Sequence, residues 1–441
     1  MTSDTQRTAA MGPPSDPPDS TPIRATGRHG GHDYSTGGDL APGNQRTATV
    51  DPPSAPADSA SIRQRLVAGV GALTALDRRT GSVGERQSAQ WIAGQLREIG
   101  AADIEISMFR TQTSWAQVHL AYTAAALALG TRSGAAARVA NAGVALSYEL
   151  EVSGRTQWLR RFLPARHGVS VSARIAAAGV PRRTLVLVAH HDAAHNGMVW
   201  HPRTVAANRV RSARTGRAVP SHAVVLGAMA ATAVPARGIR RAARALLIVA
   251  GGAMIQSMRT YTTPGANDNA TGVVAVLELA RRLRAAPFPD TDVVVLFPGG
   301  EEAGNLGMVA WMKQARAALE PEKTLVVNLD SLGSGGHLVV ARREGLTGRF
   351  AARDVAAARK AAAHAGIELR AVTFPNVCDT SIARHAGMRA ISLLSYADGW
   401  ISNLHLRSDT VENVAWETVE DAITLTERLA AGWNDGSIDD D

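Results

Sequence analysis

Adjacent carboxylates at Glu301 and Glu302 are the residues most suggestive of chemistry in this chain. They follow Asp292-Val-Val-Val-Leu-Phe-Pro298, a short apolar run that reads as a buried β-strand. Like charges so close resist joint ionisation, so a solvated acidic turn competes with a site that neutralises them. A divalent metal held by one carboxylate, with the other serving as base, would neutralise them.

The other candidate residues also follow apolar runs. His190-His191-Asp192 follows Thr184–Ala189, and Asp330 follows Thr324–Leu329. A loop after the run ending at Tyr396 leads to His405, and Asp268 lies in Gly265-Ala-Asn-Asp-Asn-Ala-Thr-Gly272, where a glycine-bearing loop turns into a helix. Ligands of open α/β sheets bind beyond the carboxyl ends of the strands. Metal-type side chains therefore gather at one edge, where chance would scatter them between two. In extended chain, i and i+2 share a side, so Asp192 can orient His190 while His191 points away. A helix start suits Asp268, although Asn267 or Asn269 could cap equally well.

These residues need elements to position them. Strands are expected at Ala102–Phe109, Thr184–Ala189, Asp292–Pro298, Thr324–Leu329, His337–Ala341 and Ala390–Tyr396. Helical spacing covers Ile62–Leu76, Gly84–Gly100, Asp268–Ala285, Asn305–Ala318, Arg353–Ala365 and most of Val411–Trp433. The alternation predicts an α/β fold, a central mostly parallel (mixed) sheet with helices on both faces.

Two stretches break the alternation. About 115–148 and about 219–258 each hold two Ala-rich apolar segments joined by a basic tip, and each reads as an inserted helical hairpin. Thr111–Thr131 has no charged residue and could just reach across a bilayer, while its partner segments are too short. Membrane contact through the hairpins and a soluble helical insertion both remain open. Residues 1–60 have almost no large apolar side chains and are expected to be a disordered tail without signal-peptide pattern; residues 61–441 are expected to form the catalytic domain. The expected location is cytoplasmic or membrane-associated.

Composition narrows the class. The chain has 441 residues, a formal charge of +8 and one cysteine, Cys378. A single cysteine excludes an internal disulfide framework and a cysteine-based zinc site. Arginines are scattered without interleaved aromatics, and no nucleic-acid module is recognisable, so nucleic acid is not an expected partner.

His190-x-Asp192, Gly265-Ala-Asn-Asp268-Asn-Ala-Thr-Gly272, Glu301-Glu302-x-Gly304-x-x-Gly307, Asn328-Leu-Asp330 and His405-x-x-x-Asp409-Thr410 together resemble the zinc-dependent aminopeptidase family, the co-catalytic di-zinc group that includes bacterial leucyl aminopeptidase and glutamate carboxypeptidase. Cys378-Asp379 resembles the segment before the family's last core strand. The resemblance covers roughly Ser61 to the C-terminus. It implies a phosphorylase/aminopeptidase-like fold, a peptide substrate and two zinc ions, with His190 and Asp330 on one ion, Glu302 and His405 on the other, and Asp268 bridging. Glu301 would be the general base, Asp192 the orienter of His190, and Asp409 a loop brace. Hydrolysis of peptide bonds, from the amino end, follows as the expectation. A single-zinc acyltransferase like the glutaminyl cyclases, or an inactive membrane-associated binding protein, are the competing functions. The long gap from Asp192 to Asp268 departs from compact relatives and sets the second hairpin beside the metal site.

Overall fold

The computed structural model describes residues 59–132 and 134–439. The tail expected over residues 1–60 lies almost wholly outside them. Two helices, α1 (Ser59–Thr74) and α2 (Val83–Ile99), open the domain. Ser82 caps α2 by accepting from Glu85 N, and Gly100 ends it at φ 79°, as its sequence signals suggest. Strand β1 (Ala102–Thr111) then leads into α3 (Ala116–Gly130) and α4 (Ala135–Val152). After β2 (Arg166–Ile175) and β3 (Arg183–Val188) come α5 (Pro202–Thr215), α6 (His222–Thr232) and α7 (Arg237–Met258). The remainder alternates: α8 (Thr271–Ala285), β4 (Thr291–Phe297), α9 (Leu306–Ala315), β5 (Thr324–Leu329), β6 (His337–Glu344), the short β7 (Gly348–Arg349), α10 (Ala352–His364), β8 (Leu369–Phe374), α11 (Thr380–His385), β9 (Arg389–Tyr396) and α12 (Trp416–Asp435).

Among the described residues, all nine strands join one mixed sheet in the order β1-β2-β4-β3-β5-β9-β6-β7, with β8 beside β6. Its centre, β4-β3-β5-β9, is parallel, whereas β1-β2-β4 and β9-β6-β7 pair antiparallel. The parallel centre is the part that matters for chemistry, because it directs four strand ends to one edge. Alternate residues of β3 feed different cores: Leu185 and Leu187 pack under α1, α2, α8 and α12, and Val186 and Val188 pack under α9 and α11. Burying each such side chain contributes about 1.5–3 kcal/mol, so both faces of the central strands anchor the edge. Strands β2, β7 and β8 escape the sequence patterns, β7 because two residues carry no period and β2 because basic residues and glycine dilute its alternation.

Helices α3, α4, α6 and α7 pack together around Val118, Tyr122, Ala126, Tyr148, Met229 and Leu247. They occupy the two stretches that break the alternation. Among the described residues no helix is long and apolar enough to cross a membrane.

Candidate metal centre

Every candidate side chain sits just past the end of a parallel strand or in a loop folded over that edge. His190 follows β3, Glu301 and Glu302 follow β4, Asp330 follows β5, and His405 hangs from the loop after β9. Asp268 reaches the same place by a kink. The chain leaves helical geometry at Asp268 (φ −111°, ψ 89°) and Asn269 (φ −135°, ψ 43°), and α8 starts at Thr271. The sequence leaves the cap of this helix open among Asn267, Asp268 and Asn269. Asn269 takes it: its Oδ1 accepts from Gly272 N at 3.0 Å and from Ser331 N at 3.2 Å. With that task taken, the Asp268 carboxylate turns into the centre.

There it lies between the two histidines. Asp268 Oδ1 is 3.4 Å from His190 Nε2, and Asp268 Oδ2 is 3.0 Å from His405 Nε2. Asp330 Oδ1 lies 3.9 Å from His190 Nε2, and Glu302 Oε1 lies 3.4 Å from His405 Nε2. One atom each of His190, Asp268 and Glu302 fall within 4.8 Å of one another. All five side chains are buried. Glu302 Oε1 has no hydrogen-bond donor. Three buried carboxylates and the half-buried Glu301, against two imidazoles, leave negative charge that an apolar interior does not tolerate. Nitrogen and oxygen donors facing inward in two groups around one shared carboxylate fit a pair of divalent cations, with zinc preferring this mixture.

Electrostatics of the bare side chains report the same crowding. Burial raises the Glu301 carboxyl well above its usual range; His190 opposes this, and Glu302, Asp379 and Asp330 reinforce it. Burial also raises Glu302 and Asp330. Burial disfavours charge on His405, but Glu302 and Asp268 outweigh it and push the imidazole up to about 10. For Asp268 burial is overcome by hydrogen bonds from His190 and His405, which hold it below the ordinary carboxylate range.

Asp192 has more partners than its spacing suggests. Its Oδ1 is 3.5 Å from His190 Nδ1, and that ring nitrogen has no hydrogen bond. The carboxylate accepts instead from Thr80 Oγ1 at 2.6 Å, Glu301 N at 3.1 Å and Glu302 N at 3.2 Å. It thereby fixes the backbone of the acidic pair. His191 faces the opposite way, with Nε2 2.9 Å from the Val169 carbonyl and Nδ1 2.7 Å from Ser88 Oγ. Asp409 accepts from Asn267 N at 2.7 Å and Asp268 N at 3.1 Å, which braces the loop.

Several participants carry no readable sequence signal. Asn305 Nδ2 donates to Glu301 Oε1 at 3.0 Å. Arg78, fully buried, donates to the carbonyls of His191, Pro264 and Gly265. Burial draws it down to about 10 against the opposing pull of Asp409, Asp192, Asp268 and Glu302. Cys378 Sγ lies 3.5 Å from Asp330 Oδ2. The Trp200 ring stands edge-on to His405 at 4.2 Å, and Asn196 Nδ2 holds the His405 carbonyl at 2.7 Å. Arg78 sits in a polar run between helices, and Trp200 in the long gap after Asp192, so neither belongs to a periodic pattern.

Residues 252–429 match the model of peptidase family M28. Over this segment the chain is similar to that family, and it is a zinc-dependent peptidase. The matched segment holds Asp268, Glu301, Glu302, Asp330 and His405, and begins inside α7, so the inserted helices part it from His190 and Asp192. Among solved structures, the fold is similar to an aminopeptidase from Aneurinibacillus sp. strain AM-1, at 13% identity and TM-score 0.50, over 84% of this chain and 93% of that one. A zinc aminopeptidase from Bacillus subtilis gives 15% identity and TM-score 0.49, over 83% and 94%. A glutaminyl cyclase from Porphyromonas gingivalis gives 14% and 0.48, over 83% and 97%. A comparison with curated protein sequences returns no match. Zinc is the cofactor that this peptidase type implies, and the paired donor groups leave room for two ions.

Proposed function

We propose that this peptidase removes residues from the amino end of peptides at a two-ion centre. His190 and Asp330 would hold one ion, Glu302 and His405 would hold the other, and Asp268 would be shared between them. The observation that carries this is the Asp268 carboxylate, whose two oxygens face two different histidines at 3.4 and 3.0 Å. The likeness to aminopeptidases in fold supports the direction of cleavage without deciding it.

Bound zinc supplies a Lewis acid for the scissile carbonyl and lowers the pKa of an attacking water. Glu301 moves the protons. It takes one from the water as the new C–O bond forms and delivers it to the amine nitrogen as the C–N bond breaks, so the carboxylate is regenerated each cycle. Asn305 holds Glu301 Oε1, which leaves Oε2 for the proton. Asp192 pins the peptide nitrogens of residues 301 and 302, so base and ligand keep a fixed offset. The buried walls around the centre exclude bulk water and strengthen each charge interaction.

The test is zinc content measured beside hydrolysis of a panel of aminoacyl and carboxyl-terminal reporter peptides. Two zincs per chain and cleavage from the amino end are expected. One zinc per chain in fully active protein, or cleavage restricted to carboxyl-terminal reporters, overturns the proposal.

A further inference from the structure

The helical module formed by α3, α4, α6 and α7 has an outer surface that the peptidase chemistry does not use. Soluble helices present a polar face to water. Helix α7 does the reverse along most of its length. Ala243, Leu247, Gly251 and Met254 face inward, and the opposite face carries Leu246 (43% exposed), Ile248 (61%), Val249 (69%) and Ile255 (38%). Ala245 and Gly252 fill the gaps between them and are also exposed. Single exposed apolar residues need no explanation, but a contiguous apolar strip does.

Charge is placed around the strip, not on it. Arg237 and Arg241 lie exposed at its amino end, and exposed Arg259 follows its carboxyl end. Asn141 of α4 donates to Thr232 of α6, and Gly130 packs beside Thr232 and Arg244. The α3–α4 and α6–α7 turns therefore meet at one end of the module. That end adds Arg132 and Arg138. No Asp or Glu occurs from Thr111 to Tyr148 or from Ala193 to Asn267. Among the described residues, no ion pair engages Arg132, Arg237, Arg241 or Arg259.

We propose that the outer face of α7, with its flanking arginines, docks the enzyme on an anionic lipid surface. Charge complementarity selects this occupant. An apolar strip seats at the acyl boundary while arginine side chains reach back to phosphate headgroups. A second copy of the chain would bring the same arginine-flanked face and offer it no counter-charge, because the module's two acids, Glu149 and Glu151, are buried against His222 and Arg160. Lying on the surface, rather than spanning it, agrees with the absence of a membrane-crossing helix among the described residues. The inference is independent of which peptide end is cleaved.

The test uses the full-length, zinc-loaded protein and co-sedimentation with vesicles of phosphatidylcholine alone or mixed with phosphatidylglycerol. Binding is expected only to the mixed vesicles, and salt should weaken it. Arg237→Ala and Arg241→Ala should each lower the partition coefficient about fivefold. Val249→Ser should lower it too, with reporter hydrolysis and thermal midpoint unchanged. No binding to the mixed vesicles at low salt overturns the proposal. So does equal binding by Val249→Ser, which would reduce the contact to charge alone. A solution dimer that Val249→Ser abolishes would assign the face to a second copy instead.

Discussion

Replacing Asp192 by asparagine separates backbone positioning from metal holding. The substitution keeps shape and volume and removes one acceptor. Three donors converge on the two carboxylate oxygens: Glu301 N on Oδ1, and Glu302 N with Thr80 Oγ1 on Oδ2. An asparagine oxygen can occupy only one of those places. If it takes the Oδ2 place, the amide NH2 faces Glu301 N; if it takes the Oδ1 place, the NH2 faces Glu302 N, and only the Thr80 hydroxyl can turn to accept. Either way one buried peptide N–H is left without an acceptor, at about 1–3 kcal/mol. The surviving bond loses its charge assistance, roughly another 1 kcal/mol. Asp192→Asn should therefore cost about 2–4 kcal/mol of stability. The strand-end turn then relaxes away from its donor–donor clash. A displacement near 1 Å at Glu301 lowers turnover by about 100-fold. Zinc content should stay at the wild-type value, because the inward-facing atoms of His190, Asp268, Glu302, Asp330 and His405 are untouched. Thermal unfolding, metal analysis and reporter kcat/KM, measured on one preparation, decide the matter. Wild-type stability and turnover in Asp192→Asn would refute the positioning role. Lost zinc at wild-type stability would show that the carboxylate acts through His190 instead.

Four further outcomes follow from the same geometry. Glu301→Gln keeps the oxygen that Asn305 holds and should retain zinc while kcat falls 10²- to 10⁴-fold; wild-type kcat in this variant would remove Glu301 from proton transfer. Asp268→Ala removes the one carboxylate shared by both donor groups, so zinc should drop well below one equivalent by metal analysis. Chelation should make stability fall as pH rises. His405, with its folded pKa near 10, and His190, also raised, keep protons that the unfolded chain releases near pH 6.5, so their contribution is complete below that pH and fades above it. The raised Glu301, Glu302 and Asp330 act in the same direction, and the depressed Asp268 acts only below about pH 4; a chelated protein whose thermal midpoint climbs from pH 6 to 9 would contradict this. Arg160→Met should destabilise by about 3–5 kcal/mol, since it strands Glu151 as a buried unpaired carboxylate and frees the Ala303 carbonyl; double substitution with Glu151→Leu should recover part of that loss in chemical denaturation.

The central sheet was legible because burial on both faces produces continuous apolar runs, as in Thr324–Leu329, whose bounds match β5. The candidate site residues were legible for a related reason: a polar metal-type side chain directly after such a run has few other uses. What the sequence hid depends on contacts distant in the chain. Arg78 and Thr80 reach the site only because α1 and α2 pack on α8 and β2, and nothing in Asp77-Arg-Arg-Thr80 announces it. Which of Asp268 and Asn269 caps is open in the sequence, since both residue types cap well and only the kinked backbone chooses. Strand β2 was hidden because one side meets β1 near solvent and its pattern is interrupted at Gly168, where an added Cβ would strike Phe109.

The division of labour proposed for Glu301 and Glu302 rests on one backbone turn and on two anchors beyond the sheet. Asp192 ties both peptide nitrogens from the β3 side, so neighbouring side chains must leave the backbone in different directions. Glu302 reaches His405, and Glu301 reaches Asn305. The opposite side of the turn is tied by the helical module. Trp115 N donates to the Glu302 carbonyl at 3.0 Å, Arg160 donates to the Ala303 carbonyl, and Gln157 Nε2 donates to the Gly304 carbonyl at 2.8 Å. Gly304 has φ 117°, and a side chain there would collide with the Arg160 guanidinium, so glycine is required for that clasp. Residues 302–304 thus give their carbonyls to the module, and residues 301–302 give their amides to the sheet edge. The module's inner end takes part in holding the base in place, and its outer end carries the arginine-flanked apolar face. Helix α7 packs on α3, and the start of α3 and the Arg160 segment bond the turn that carries Glu301.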